Sequence, residues 1–221
     1  MNNIFIIYHV AVMGRWRKIV KEQLELLQTS GLGAQCQAIF IQAVGVSHPT
    51  QKRQVQLLWQ AYPFRDKVIF TTYRNLKDYE KPSIAQAQKI AHEHPAAKIL
   101  YFHTKGASHS TITLNNDYQR PFTQAEIQAL EAYRYRMEYH TLKNWQTCVE
   151  LLEAYDTVGI NWIADAPHAP PHFSGNFWWA NASYLNRCHL NFHQYPAIAN
   201  TRYVYEMFIG SGHPKYKDLS L

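Results

Sequence analysis

The chain has 221 residues, 47% of them hydrophobic and 17% charged, a balance that excludes intrinsic disorder and suffices for one domain with a substantial core. Lys and Arg number 22 against 16 Asp and Glu, so the net charge of +6 suits an anionic partner, yet no basic run is long enough to read as a nucleic-acid tail. No stretch approaches the ~18 apolar residues of a membrane-spanning helix, and three scattered cysteines (Cys36, Cys148, Cys188) with no CxxC pair fit free thiols in a reducing compartment.

Short apolar runs alternate with helical patterns along the chain. Residues 4–7 read as a strand; they are too short, and lack the charged start, for a signal peptide. Trp16, Ile19, Val20, Gln23, Leu24 and Leu27 recur at helical spacing, with Gly31 as the stop. Residues 39–41 form a second strand. Ser47 and Pro49 open a helix whose apolar face is Val55, Leu58, Trp59 and Tyr62. A third strand covers 68–70, and Pro82 opens a helix that stops before Pro95. Residues 99–102 are a fourth strand, apolar enough to be buried on both faces. A loop follows over 106–121. Thr123 and Glu126 then form a capping box, opening a long helical region to about Tyr155 that bends between His140 and Asn144. A fifth strand covers 158–160, a proline-rich loop 165–171, an aromatic strand comes next, and a last helix carries Tyr203, Met207 and Phe208.

Strand–helix alternation at this spacing predicts an α/β fold, a mostly parallel sheet flanked by helices on both faces, in a single domain spanning 1–221. In such sheets a ligand lies beyond the carboxyl ends of the strands. The residues there are Tyr8 and His9, then Tyr73, Arg74 and Asn75, then His103, Lys105 and Gly106. Lys105 and a freely bending Gly106 suit a diphosphate. No GxGxxG, Walker, HExxH or GxSxG motif occurs. His92-Glu93-His94 ends a helix and reads as a solvated terminus.

The aromatic segment Phe173-Ser174-Gly175-Asn176-Phe177-Trp178-Trp179-Ala180 sets polar groups and a glycine against large rings. It reads either as a core strand entered through a bulge or as a sugar platform, with Ser174, Gly175 and Asn176 orienting the hydroxyls and Trp178 or Trp179 supplying the flat wall. Alternation along a strand sends those two indoles to opposite faces, so one is expected in the site and the other in the core.

These segments resemble a known family. Tyr101-Phe102-His103-Thr104-Lys105-Gly106, Tyr133-Arg134, Met137 with Tyr139, Trp145 with Cys148, residues 156–162, Phe173 to Ala180, and Arg202-Tyr203 with residues 206–210 occur in the order found in small nucleotide-sugar glycosyltransferases of GT-A fold. Those proteins serve bacterial surface-polysaccharide synthesis and the capsid glycosylation of large DNA viruses. The resemblance covers about residues 4–210 and implies a GT-A-like (Rossmann-like) sheet. It also implies sugar transfer from a nucleoside diphosphate-sugar, foremost a UDP-sugar, to a glycan or lipid-linked acceptor. By that resemblance Glu206 is the catalytic base, and His103, Lys105 and Gly106 face the donor diphosphate. Tyr8, His9, Tyr73, Arg74 and Asn75 line the nucleoside.

The chain departs from the usual GT-A pattern in one respect. His103-Thr104-Lys105 stands where an Asp-x-Asp ordinarily holds a divalent cation. Asp78 and His103 are the candidate metal ligands, and Mn²⁺ or Mg²⁺ is expected to stimulate without being strictly required. A cytoplasmic location, peripheral to a membrane or free, is expected. Nucleic acid is not an expected partner. The rival reading is a non-catalytic carbohydrate- or nucleotide-binding module.

Overall fold

The computed structural model describes residues 3–110, 120–164, 169–199 and 201–220. The loop readings over 106–121 and 165–171 fall partly outside these. The main sheet has seven strands in the order β3-β2-β1-β4-β8-β5-β9. They are β1 Ile4–Ala11, β2 Ala38–Val44, β3 Val68–Tyr73, β4 Lys98–His103, β5 Thr157–Gly159, β8 Trp178–Asn181 and β9 Tyr216–Asp218. β6 (Trp162–Ile163) and β7 (His172–Phe173) pair with each other in a separate antiparallel ribbon. The β3-β2-β1-β4 half is parallel throughout. β8 runs antiparallel to both its neighbours, and β9 is parallel to β5. The sheet is thus mostly parallel with one reversed strand.

The helices are α1 Trp16–Thr29, α2 Leu32–Gln35, α3 Pro49–Gln60, α4 Lys81–Glu93, α5 Gln124–Glu138, α6 Trp145–Leu151, α7 Ala182–Leu185 and α8 Val204–Met207. Pro49 sits at the start of α3, where its missing N–H costs nothing. Thr123 and Glu126 cap α5 reciprocally, as the sequence predicts. At the place of the expected bend after α5 stands a π-helical turn, Tyr139–Lys143, which leads into α6. The last helix is shorter than expected: α8 has four residues, Tyr203 is its N-cap, and a 3₁₀ turn, Phe208–Gly210, continues it.

Strand alternation divides the core in two. Ile4, Ile6, Tyr8 and Val10 point toward α1, α3 and the α5–α6 region; Phe5 and Ile7 point toward α4 and α7. β4 is wholly buried from Ile99 to Phe102, as a central strand covered on both faces must be. Cys36, Cys148 and Cys188 are free and buried.

Candidate functional site

The parallel strands β1 and β4 end side by side, His9 opposite His103. The chain beyond β4 is fastened to β1: Thr104 N–H donates to the His9 carbonyl and Ala11 N–H to Thr104 Oγ1. Gly106 then takes φ +84°, a left-handed turn that favours glycine. Because β8 reverses direction, its start lies beside the end of β4, Trp178 opposite Tyr101. That topology brings the 174–176 turn to the same sheet edge.

His103 joins the two. Its Nε2 lies 2.9 Å from the Gly175 carbonyl, and its Nδ1 lies 3.2 Å from Glu80 Oε1. Glu80 enters at the N-cap position of α4 with its side chain 12% exposed. Asn176 Nδ2 donates to Glu80 Oε2 at 2.6 Å, and Trp178 Nε1 donates to Asn176 Oδ1 at 2.8 Å. Tyr101 Oη is buried beside Glu80 and finds no partner of good hydrogen-bond geometry among the described residues. Burial and then the charge of Glu206 push the Glu80 carboxyl up to about 7, against the opposing pull of Lys105, Asn176 and Tyr101. Burial and the Lys105 ammonium hold His103 well below the usual imidazole range.

The site residues expected from sequence divide. Lys105 is partly exposed and has no ion-pair partner among the described residues. It lines a shallow depression with Gly106, Arg15 and Arg134, but the two arginines are already paired, Arg15 with Glu131 and Arg134 with Glu22 and Glu138. Glu206 is partly exposed on α8, near enough to Glu80 to act on its ionisation. Arg202 precedes α8 and lies over the Tyr203 ring, so Arg202 and Glu206, four apart in sequence, do not share a helix. Ser174 is partly exposed, and its Oγ and carbonyl both accept from Tyr133 Oη.

Other expectations are corrected. Tyr8 is fully buried, stacked on Phe102 and bonded to Gln23 Oε1, so it cannot line a nucleoside. His9 is buried too, its Nδ1 3.0 Å from Ser83 Oγ, and burial pushes its imidazole down to about 3. Tyr73, Arg74 and Asn75 do reach the surface, but at the edge strand. Three inter-strand spacings, roughly 14 Å, separate β3 from β4. Tyr73 Oη bonds Gln42, and Asn75 Oδ1 caps the turn that follows.

Trp178 and Trp179 do point to opposite faces, but both are 0% exposed. β8 lies inside the sheet, and each face is covered, so neither indole is a platform. Trp179 Nε1 donates to the Thr141 carbonyl at the π turn. Asn176 is likewise buried, with its polar atoms spent on Glu80 and Trp178. The close approach at Gly175 is to α5 and not to a ligand: at φ +90° a Cβ would meet Met137 Sδ at 2.5 Å. Both ring nitrogens of His103 are engaged, so it is not placed to meet a diphosphate or a cation. Among the described residues no three His, Cys, Asp or Glu side chains are grouped to hold a metal ion. The residues present therefore do not fit the Asp78–His103 metal site.

Glu80 is the residue that sequence reasoning missed. Its one signal was position, just before the Pro82 helix start, on the loop leaving the third strand.

A family model described as "Domain of unknown function (DUF8361)" matches residues 2–195. The chain belongs to this family. No curated protein matches it. Among solved structures it is similar to one titled "Crystal structure of 4-diphosphocytidyl-2C-methyl-D-erythritol synthase", at 10% identity. The match covers 85% of this chain and 78% of that one, with a TM-score of 0.38, too loose a likeness to carry an argument. No helix among the described residues is long and apolar enough to cross a membrane.

Proposed function

We propose that this member of the DUF8361 family is a glycosyltransferase that moves a sugar from a nucleoside diphosphate donor to a hydroxyl acceptor. The observation that carries the reading is the convergence at one sheet edge of a partly exposed cation, Lys105, with no ion-pair partner among the described residues, and two carboxyl groups, Glu80 and Glu206. The resemblance of the His103-Thr104-Lys105-Gly106 and 173–180 segments to nucleotide-sugar glycosyltransferases supports it. In this reading Lys105 stabilises the negative charge that grows on the leaving diphosphate. Glu206 takes the acceptor proton. The acceptor oxygen bonds to the anomeric carbon as the bond from that carbon to the diphosphate oxygen breaks, and its electron pair leaves with the diphosphate. Ser174 is a partly exposed group of the turn within reach of the sugar in this reading. No step is assigned to a metal in this reading, since no metal-binding group of side chains occurs among the described residues.

Burial of Trp178, Trp179 and Asn176 removes the platform on which a simple carbohydrate-binding module would rest. The test is nucleotide release from a panel of nucleoside diphosphate-sugars, UDP-sugars first, by the purified protein. Turnover that falls roughly 10²-fold in Glu206→Gln with donor affinity retained supports the assignment. Tight donor binding with no release over any acceptor or water would leave a binding protein.

A further inference from the structure

We infer that Glu80 is the positioning residue of this sheet edge: as a carboxylic acid it gives one proton to His103 Nδ1, and that proton helps fasten the 174–176 turn to the end of β4. The argument is a count of hydrogens. The Gly175 carbonyl can only accept, so the hydrogen of that contact is on His103 Nε2. Trp178 Nε1 can only donate, so Asn176 presents its oxygen to Trp178 and its NH₂ to Glu80 Oε2. The remaining contact, Glu80 Oε1 to His103 Nδ1, needs a second hydrogen. It belongs either to a carboxylic acid beside a neutral ring or to an imidazolium beside a carboxylate.

The surroundings choose between the two. The groups facing the pair are Tyr101 and Lys105 from β4 and its exit, His9 from β1, and Tyr205 and Glu206 from α8; Asp78 stands beyond Tyr205. Burial and then Lys105 disfavour a charged imidazole, and outweigh the Gly175 carbonyl that favours it; burial and then Glu206 disfavour a charged Glu80, and outweigh Lys105, Asn176 and Tyr101. The neutral pair satisfies both. Removing its proton leaves a carboxylate facing a bare Nδ1. Shifting the ring hydrogen to Nδ1 leaves Nε2 facing the Gly175 oxygen. In the first case the ring loses its hold on Glu80, in the second its hold on the Gly175 carbonyl; either loosens the fastening of the turn to β4, although Tyr133 still holds Ser174.

This deepens the proposed function, because the turn carries the partly exposed Ser174 to the same sheet edge, but its test needs no turnover. Amide exchange at residues 174–176, corrected for intrinsic rates, is followed by NMR from pH 5.5 to 8.5 in the wild type and in Glu80→Gln. The side-chain amide of Gln supplies the Nδ1 hydrogen at every pH. Protection in the wild type should fall at least tenfold as pH passes 7 and stay level in Glu80→Gln. The ¹⁵N shifts of His103 at pH 6 should report a neutral ring with hydrogen on Nε2. A level wild-type profile, a variant that parallels it, or an imidazolium signature overturns the inference. The wild-type series and the ring shifts decide even if the variant does not fold. Absence of glycosyl transfer with these results intact would sink the proposed activity alone.

Discussion

Glu80→Gln should make the protein more stable, and only above mildly acid pH. The carboxyl of Glu80 titrates near 4.5 in an unfolded chain and is pushed up to about 7 in the fold. Between those values the folded state holds a proton that the unfolded state has lost. Stability from this group is therefore complete below about 4.5 and is lost as pH rises to 7. At ~1.4 kcal/mol for each tenfold change in proton affinity, this rise amounts to roughly 3–4 kcal/mol. The glutamine amide introduced by the substitution does not titrate in either state, while it still offers an oxygen to Asn176 Nδ2 and an N–H to His103 Nδ1. The variant should gain under about 1 kcal/mol at pH 5 and about 3 kcal/mol at pH 8. For a chain of this length that is roughly 6–12 °C in Tm. Urea unfolding followed by circular dichroism at the two pH values measures it. A gain equal at both would show that the fold does not shift the titration of Glu80, and a loss at pH 8 that Glu80 is ionised in the fold and anchored by a charged partner; either would refute the reasoning.

The two tryptophans give a second expectation. Trp178→Phe and Trp179→Phe should each destabilise by ~1–3 kcal/mol, because each strands a buried acceptor, Asn176 Oδ1 or the Thr141 carbonyl. Only Trp178→Phe should also alter the pH dependence of stability, by freeing the Asn176 amide to turn from Glu80; identical pH profiles would disconnect Trp178 from the site. Lys105→Ala should weaken binding of a nucleoside diphosphate far more than that of the nucleoside, as read by calorimetry, and equal losses would place Lys105 outside the phosphate site. Turnover should persist in EDTA, given that no grouped ligands occur among the described residues; complete loss restored by Mn²⁺ would show a cation held by other means. Gly175→Ala should loosen the turn at any pH, because φ +90° strains any L side chain and the added Cβ would force Met137 to move. Wild-type melting of this variant would contradict the packing of α5 on the turn.

The sequence by itself determined the elements. Helical spacing located α1, α3 and α4, the Thr123–Glu126 pair located the start of α5, and an apolar run without alternation marked β4 as buried on both faces. These are local properties: periodicity, capping and burial of a short run are written in consecutive residues. The Lys105–Gly106 exit was legible for the same reason, a change of chemistry at the end of one strand. What the sequence left open was which strands are neighbours. Phe-Trp-Trp reads the same in a strand with a wet face and in one covered on both sides. Only the insertion of a reversed β8 between β4 and β5 decided that both indoles are core. That insertion also carried Asn176 across 96 positions to Glu80, and set Glu80 23 positions from its other partner, His103. A carboxyl is an ordinary surface residue until the fold removes its water and surrounds it. The acid of this site exists because tertiary contacts, and not the residues next to it in the chain, set the cost of its charge.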